Sequence, residues 1–136
     1  MDTHKDRELK SAYAKTRYIV EDIVIQVGKK NEKLDNLLIE NNCTTYAFIT
    51  AYNPLSELLT TEQNELRHKQ LINYVETRGY KFVLGYGEGT KGWPNEMSLL
   101  IIDISKEDAI ACGIAFNQKA IIFGQLRAST SLLMLQ

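Results

Sequence analysis

Proline, cysteine, histidine and tryptophan are all scarce in this 136-residue sequence: two prolines, two cysteines, two histidines and one tryptophan. Each scarcity excludes something. Cys43 and Cys112 cannot build a disulfide framework and lack metal-ligand spacing, so both are expected reduced and buried among apolar neighbours. His4 near one end and His68 alone on a helix do not make a zinc site, and no metal is expected. Excess charge is missing too: sixteen basic against seventeen acidic residues leave −1. A protein that lives on phosphate-backbone contacts carries a basic excess, and Lys29-Lys30 with Lys33 is too small a patch, so nucleic acid is not an expected partner. No stretch approaches the roughly 18–20 consecutive apolar residues of a membrane span, and the charged start, Met-Asp-Thr-His-Lys-Asp-Arg-Glu, has no signal-like apolar run. A cytoplasmic protein without membrane contact is the expectation.

What is present is ordinary for a globular chain: 44% apolar and 24% charged residues, and a length that suits one domain. The core is expected over about residues 11–124. Residues 5–15 carry Leu9, Ala12 and Tyr13 at helical spacing. Tyr18 to Val27 is rich in Ile and Val, with Ile23, Ile25 and Val27 alternating, and reads as one strand, and Leu34, Leu37 and Leu38 mark a helix. Thr44 to Tyr52 reads as a central strand buried on both faces. Thr60 with Gln63 opens a helix that runs to about Arg78 and stops at Gly79. Strands follow at Tyr80 to Leu84 and Met97 to Ile104, then a helix from Ser105 to about Phe116, then a strand at Ala120 to Phe123. The order β-α-β-β-α-β over 44–124 predicts an α+β domain. It is expected to have a mixed sheet, helices on one face, a ferredoxin-like unit and an N-terminal helix-strand-helix extension. The apolar tail in 127–136 is expected either to dock on the domain or to contact a second subunit in a homodimer.

Half the glycines fall in Gly85, Gly87, Gly89 and Gly92, with Pro94 next. Gly87 to Gly92 satisfies G-x-G-x-x-G literally, yet Trp93-Pro94 and a strand follow where a dinucleotide site needs a helix. A hairpin with unusual dihedrals, or a nest for an anion, is the expectation. The topology brings this loop to one rim with Asn53-Pro54, the start of the 60–78 helix, and Asn117-Gln118. Asn64 projects about 20° from Leu71, so the helix's buried stripe turns polar at that rim. Its two readings are a ligand contact or a group satisfying loop carbonyls near Asn53-Pro54. Arg67 is placed to hold an anionic group or to pair with Glu88 or Glu96. Trp93 either caps the core or stacks on a ligand. Glu96, at the mouth of an apolar strand, is the candidate acid/base with a raised pKa, and Glu88 the second carboxylate. Ser56 and Ser98 have no partnering His, and His68 is expected structural.

The string Thr50-Ala51-Tyr52-Asn53-Pro54-Leu55-Ser56, then Asn64 and Arg67, then Gly87-Glu88-Gly89 with Trp93-Pro94-Asn95-Glu96-Met97-Ser98, then Phe116-Asn117-Gln118-Lys119-Ala120-Ile121, resembles a bacterial domain-of-unknown-function family, number three-two-nine-three, over roughly residues 11–124. The Trp-Pro-x-Glu-x-Ser stretch is met at Trp93, Pro94, Glu96 and Ser98, and the Phe-x-Gln turn at Phe116 and Gln118. The resemblance implies a small stand-alone cytoplasmic bacterial protein and no particular reaction. Two functions are therefore expected in competition. One is a small anionic or nucleotide-like ligand bound at the rim by Asn53, Asn64, Arg67, Trp93 and Gln118, with Glu96 and Glu88 as acid/base; no cofactor is identified. The other is a regulatory or protein-interaction module in which the same residues only pin the loops.

Overall fold

The computed structural model describes residues 4–90 and 92–135. Its elements in chain order are α1 (His4–Lys15), β1 (Tyr18–Val20), β2 (Ile23–Ile25), α2 (Glu32–Glu40), β3 (Thr45–Thr50), α3 (Thr61–Thr77), β4 (Lys81–Gly87), β5 (Glu96–Ile102), α4 (Lys106–Ala115), β6 (Ala120–Gln125) and β7 (Ser131–Met134); a single 3-10 turn, Pro54–Ser56, follows β3. The chain is an α+β domain with one seven-stranded sheet in the order β2-β1-β4-β5-β3-β6-β7.

The local signals for the two long crossovers act as read. Thr60 Oγ1 accepts the Gln63 N–H at 3.1 Å while Gln63 Oε1 accepts the Thr60 N–H at 3.0 Å, closing the capping box of α3. Ser105 caps α4 through the Asp108 N–H, with Glu107 and Asp108 in the first turn favoured by the helix dipole. Gly79, at φ +79°, stops the chain after α3.

Three expectations are corrected. The sheet is not mixed: every neighbouring pair is antiparallel. Each helical crossover skips a strand, so β5 separates β3 from β4 and β3 separates β5 from β6, and parallel strands never become neighbours. Helices do not occupy one face only. Leu71, Val75, Ala109 and Cys112 of α3 and α4 pack with Ala47, Ile49, Leu99 and Ile101. The opposite face, Tyr46, Phe48, Leu100 and Ile102, packs with Leu34 and Leu38 of α2. Both parities of β3 and β5 are apolar, so both faces need cover. The stretch from Tyr18 to Val27 is not one strand but the hairpin β1–β2, turned by Glu21 (φ +53°) and Asp22 so that Val20 faces Ile23. Tyr18, Val20, Ile23 and Ile25 all reach the same core, and the exposed pair Glu21 and Asp22 between them shifts the buried positions from even to odd. Of the two readings of 127–136, the structure shows the docked one: β7 pairs with β6, and Leu135 joins the α3/α4 core against Gly113.

The sheet curls until its outer ends meet. Gly28 N–H donates to Thr130 O at 2.8 Å and Thr130 N–H to Lys29 O at 3.0 Å, joining the end of the first hairpin to the start of β7. Inside, the Tyr46 hydroxyl lies 2.7 Å from Thr130 Oγ1. Glycine permits the curl at two places. A Cβ on Gly85 would stand 2.5 Å from Ile19 O, so β1 can cross β4 only over a bare backbone. A Cβ on Gly124 would stand 2.3 Å from the Tyr46 hydroxyl. Gly85→Ala is expected to destabilise the fold by about 1–3 kcal/mol, the usual cost of overpacking. Gly87→Ala, whose Cβ would meet nothing nearer than the Tyr18 ring at 3.8 Å, should change stability by less than about 0.5 kcal/mol. Urea unfolding of the two variants distinguishes a steric requirement from a loss of glycine as such.

Candidate functional site

On β5, residues Glu96, Ser98, Leu100 and Ile102 share the concave face, and on β3 Tyr46, Phe48 and Thr50 do; Ser98 stands opposite Thr50. Both strands thus change from apolar to polar toward the same end of the sheet. There a cavity of about 510 Å³ opens, within the range of small-molecule pockets. Its apolar wall includes Phe48, Ile122 and Leu132 from the sheet and Leu9, Ala12 and Tyr13 from α1; its polar end includes Asn53, Ser56, Trp93, Glu96, Ser98 and Gln118. α1 buries no residue of its own. The stripe Leu9–Ala12–Tyr13 faces the cavity instead of the core.

Asn53 organises the polar end. It is almost fully buried, at 2% exposure, and its neighbour Asn64 is at 4%. The Asn53 N–H donates to Asn64 Oδ1 at 2.8 Å, and Asn64 Nδ2 donates back to Asn53 Oδ1 at 2.8 Å. Asn53 Oδ1 also accepts the Leu59 N–H at 3.0 Å, and Asn53 Nδ2 donates to Glu96 Oε2 at 2.8 Å. The loop between is held in an unfavourable backbone: Asn53, Leu55 and Ser56 all have positive φ, at +46°, +54° and +62°. Such residues cost of order 1–3 kcal/mol each and persist where the surroundings over-determine them. Here the Leu55 N–H is anchored on Asn117 O at 2.7 Å and the Ser56 N–H on Asn53 O at 3.0 Å.

Glu96 Oε2 accepts a second hydrogen bond from Trp93 Nε1 at 3.2 Å. Glu96 Oε1 accepts none from any described residue. Burial pushes the Glu96 carboxyl above its ordinary value, and the bonds from Asn53 and Trp93 only partly oppose that shift. Across the cavity the hydroxyls of Tyr13 and Ser56 lie 3.0 Å apart. Burial raises the Tyr13 pKa; the Ser56 contact lowers it, and the negative charge of Glu96 raises it again. Tyr18 donates to Tyr13 O at 3.0 Å, fixing the end of α1.

The seven residues expected at the rim have different fates. Asn53, Trp93, Glu96, Glu88 and Gln118 line the cavity. Asn64 does not; it is engaged by Asn53, the loop-satisfying arrangement. Arg67 does not either. Its Nε donates to Ala51 O at 2.6 Å and its Nη2 to Phe116 O at 2.5 Å, so it clamps two chain segments instead of pairing with Glu88 or Glu96. Glu88 does not join Glu96 as a carboxylate pair: it forms an ion pair with Arg17 at 3.3 Å, over β1. Gln118 Nε2 donates to Tyr52 O at 3.1 Å and Phe116 O at 3.2 Å. Trp93 neither caps the main core nor stands free; its indole N–H is fixed on Glu96. His68 lies outside the cavity, edge-on to Tyr52, with Nδ1 buried and unbonded. Gly89 explains the glycine loop: a Cβ there would stand 2.2 Å from Trp93 O, so the loop folds tightly on itself. Its N–H is taken by Asn95 Oδ1 at 2.6 Å, which leaves it no role in an anion nest. Among the described residues no His, Cys, Asp and Glu cluster could hold a metal ion, and no helix is long and apolar enough to cross a membrane.

The sequence reading missed Tyr13 as a polar group and Ser56 as its partner. The Leu9–Ala12–Tyr13 stripe was visible, but no local signal says that it meets the loop after β3.

Asn64→Ala would strip the Asn53 N–H of its buried acceptor, and a loss of about 1–3 kcal/mol is expected by denaturant unfolding. Glu96 gives a pH signature. Its folded pKa is raised above the ordinary 4.5, so the stabilisation from protonating it in the fold is complete below 4.5 and disappears as pH rises through the raised value. The melting temperature of the wild type relative to Glu96→Gln should fall across that window; a difference independent of pH would refute the assignment.

The family described as protein of unknown function (DUF3293) matches residues 49–121, the span that carries the rim motifs and every residue named at the polar end, while Tyr13 lies outside it. Neither a curated protein nor a solved structure matches the chain.

Proposed function

Because the chain belongs to the DUF3293 family, as its rim motifs suggested, and that description assigns no activity, we propose a function from the cavity itself: the protein binds a small, largely apolar molecule whose polar end sits on Glu96, and Glu96 is the group that takes or gives a proton there. The observation that carries this reading is a desolvated carboxyl with one oxygen free of described protein partners, at the polar end of a cavity of about 510 Å³. A raised carboxyl pKa suits proton transfer near neutral pH. Asn53 and Trp93 hold the carboxyl; Asn64 and Arg67 are positioning residues that hold Asn53 and the loops. The expected anionic or nucleotide-like ligand has no support in this arrangement, since Arg67 is turned to carbonyls. The ferredoxin-like description of β3 to β6 belongs to the same proposal; it is supported by the order β6-β3-β5-β4 with α3 and α4 packed on one face.

The test is a thermal-shift screen of small metabolites on the wild type, Glu96→Gln and Ala12→Trp. Position 12 is exposed on α1 yet lines the cavity, so Ala12→Trp should obstruct it with little change in basal melting. A ligand at about 100 times its Kd stabilises by about 2.7 kcal/mol. Hits should raise the wild-type melting temperature and do so weakly or not at all in both variants. Hits indifferent to Ala12→Trp would sink the reading. The absence of any hit would favour a non-catalytic interaction module.

A further inference from the structure

The polar groups around Glu96 carry a chemical preference, because nearly all their hydrogens are already engaged. Asn53 Nδ2 and Trp93 Nε1 both donate to Glu96. Gln118 Nε2 is on Tyr52 O and Phe116 O. Ser98 Oγ donates to Glu96 O at 2.9 Å, and Thr50 Oγ1 donates to Met97 O at 2.6 Å while accepting the Tyr52 N–H. Tyr13 and Ser56 bond each other, which leaves them a single hydroxyl hydrogen. Two hydrogens are left over, one on Asn53 Nδ2 and one on the Tyr13–Ser56 pair, against a larger set of acceptors that no described donor takes: both lone pairs of Glu96 Oε1, the Gln118 amide oxygen and a lone pair of Ser98 Oγ. The one cationic side chain among the described lining residues, Lys15, is solvent-exposed on α1. A second observation points the same way. The rings of Tyr13, Tyr18, Phe48 and Trp93 line the same cavity, and aromatic faces attract a desolvated cation.

Resting on the reading that this cavity is a small-molecule site, we infer that its ligand is an amine: an apolar body bearing one protonated amino group, whose N–H bonds go to Glu96 Oε1, Gln118 and Ser98. An ammonium has donors and no acceptor, which complements this set. A carboxylate or phosphate would meet acceptors and an uncompensated carboxylate.

Three probes of matched size separate the possibilities: 2-phenylethylamine, 2-phenylethanol and 3-phenylpropanoate. Each is titrated to millimolar concentration while the indole N–H resonance of Trp93, the sole tryptophan, is followed by two-dimensional NMR. The amine should bind at least tenfold more tightly than the alcohol, and the propanoate should not bind. Glu96→Gln should cost the amine at least tenfold and leave the alcohol within about twofold. Amine affinity should also decline as pH falls and Glu96 takes up a proton. Should Glu96→Gln fail to fold, that decline in the wild type carries the test alone. Binding of alcohol or propanoate equal to or tighter than that of the amine would overturn the inference and leave the cavity reading standing. No binding by any of the three would overturn both.

Discussion

The reciprocal hydrogen-bonded pair of Asn53 and Asn64 is the constraint on which the rest of the site depends. Two buried amides meet across the gap between the end of β3 and the first turns of α3. Each alone would be an expensive desolvated polar group; together they engage one another's oxygens, and one N–H of Asn53 Nδ2 goes to Glu96. That bond orients the carboxyl, and the same carboxyl oxygen then holds the Trp93 indole. The glycine-rich loop is therefore fastened to the β3–α3 loop through a carboxylate. The left-handed residues between Asn53 and Ser56 are tolerated because both flanks of the loop are fixed, by Asn64 on one side and by Asn117 O on the other.

Much of this arrangement was legible as position and little as partnership. The polar break in the buried stripe of α3 is visible at Asn64, and the crossover order alone brings Asn53, Glu96 and Gln118 to one rim. Arg67 shows where such reading stops. Its location follows from helical projection, but whether a guanidinium meets an anion or carbonyls depends on the paths of two distant loops, and here Ala51 O and Phe116 O claim it. Glu88 is similar: Arg17, far away in sequence, neutralises it. The β1–β2 turn was hidden because Ile and Val flank it closely on both sides, yet the buried positions change parity there, from Tyr18 and Val20 to Ile23 and Ile25, across the exposed pair Glu21 and Asp22. The antiparallel sheet follows from which strand each crossover skips, and hydrophobic pattern carries no record of that.

Three glycines shape the sheet and the site, none of them by binding phosphate. Gly85 lets β1 cross β4, Gly124 makes room for the Tyr46 hydroxyl, and Gly89 lets the β4–β5 loop fold on its own backbone at Trp93 and Pro94. The first two bend the sheet; the third places the indole that holds Glu96. Curvature and carboxyl orientation thus arise from different glycines in one short cluster and one distant strand. Among the described residues, three of the eight non-glycine positions with positive φ, Asn53, Leu55 and Ser56, fall in the single loop at the polar end of the cavity, where function and fold compete for the same positions.

The junction of Gly28 and Lys29 with Thr130 has a kinetic meaning. It ties together segments separated by most of the chain, and the cavity wall likewise draws on α1 at one extreme and Leu132 at the other. Closing a loop of that length costs entropy before any contact repays it, so such contacts form late. The four central strands with α3 and α4 can assemble from nearer neighbours, and the curl then closes over them. The cavity is accordingly among the last features of the molecule to exist, and a chain halted short of that step would hold a core and no binding site.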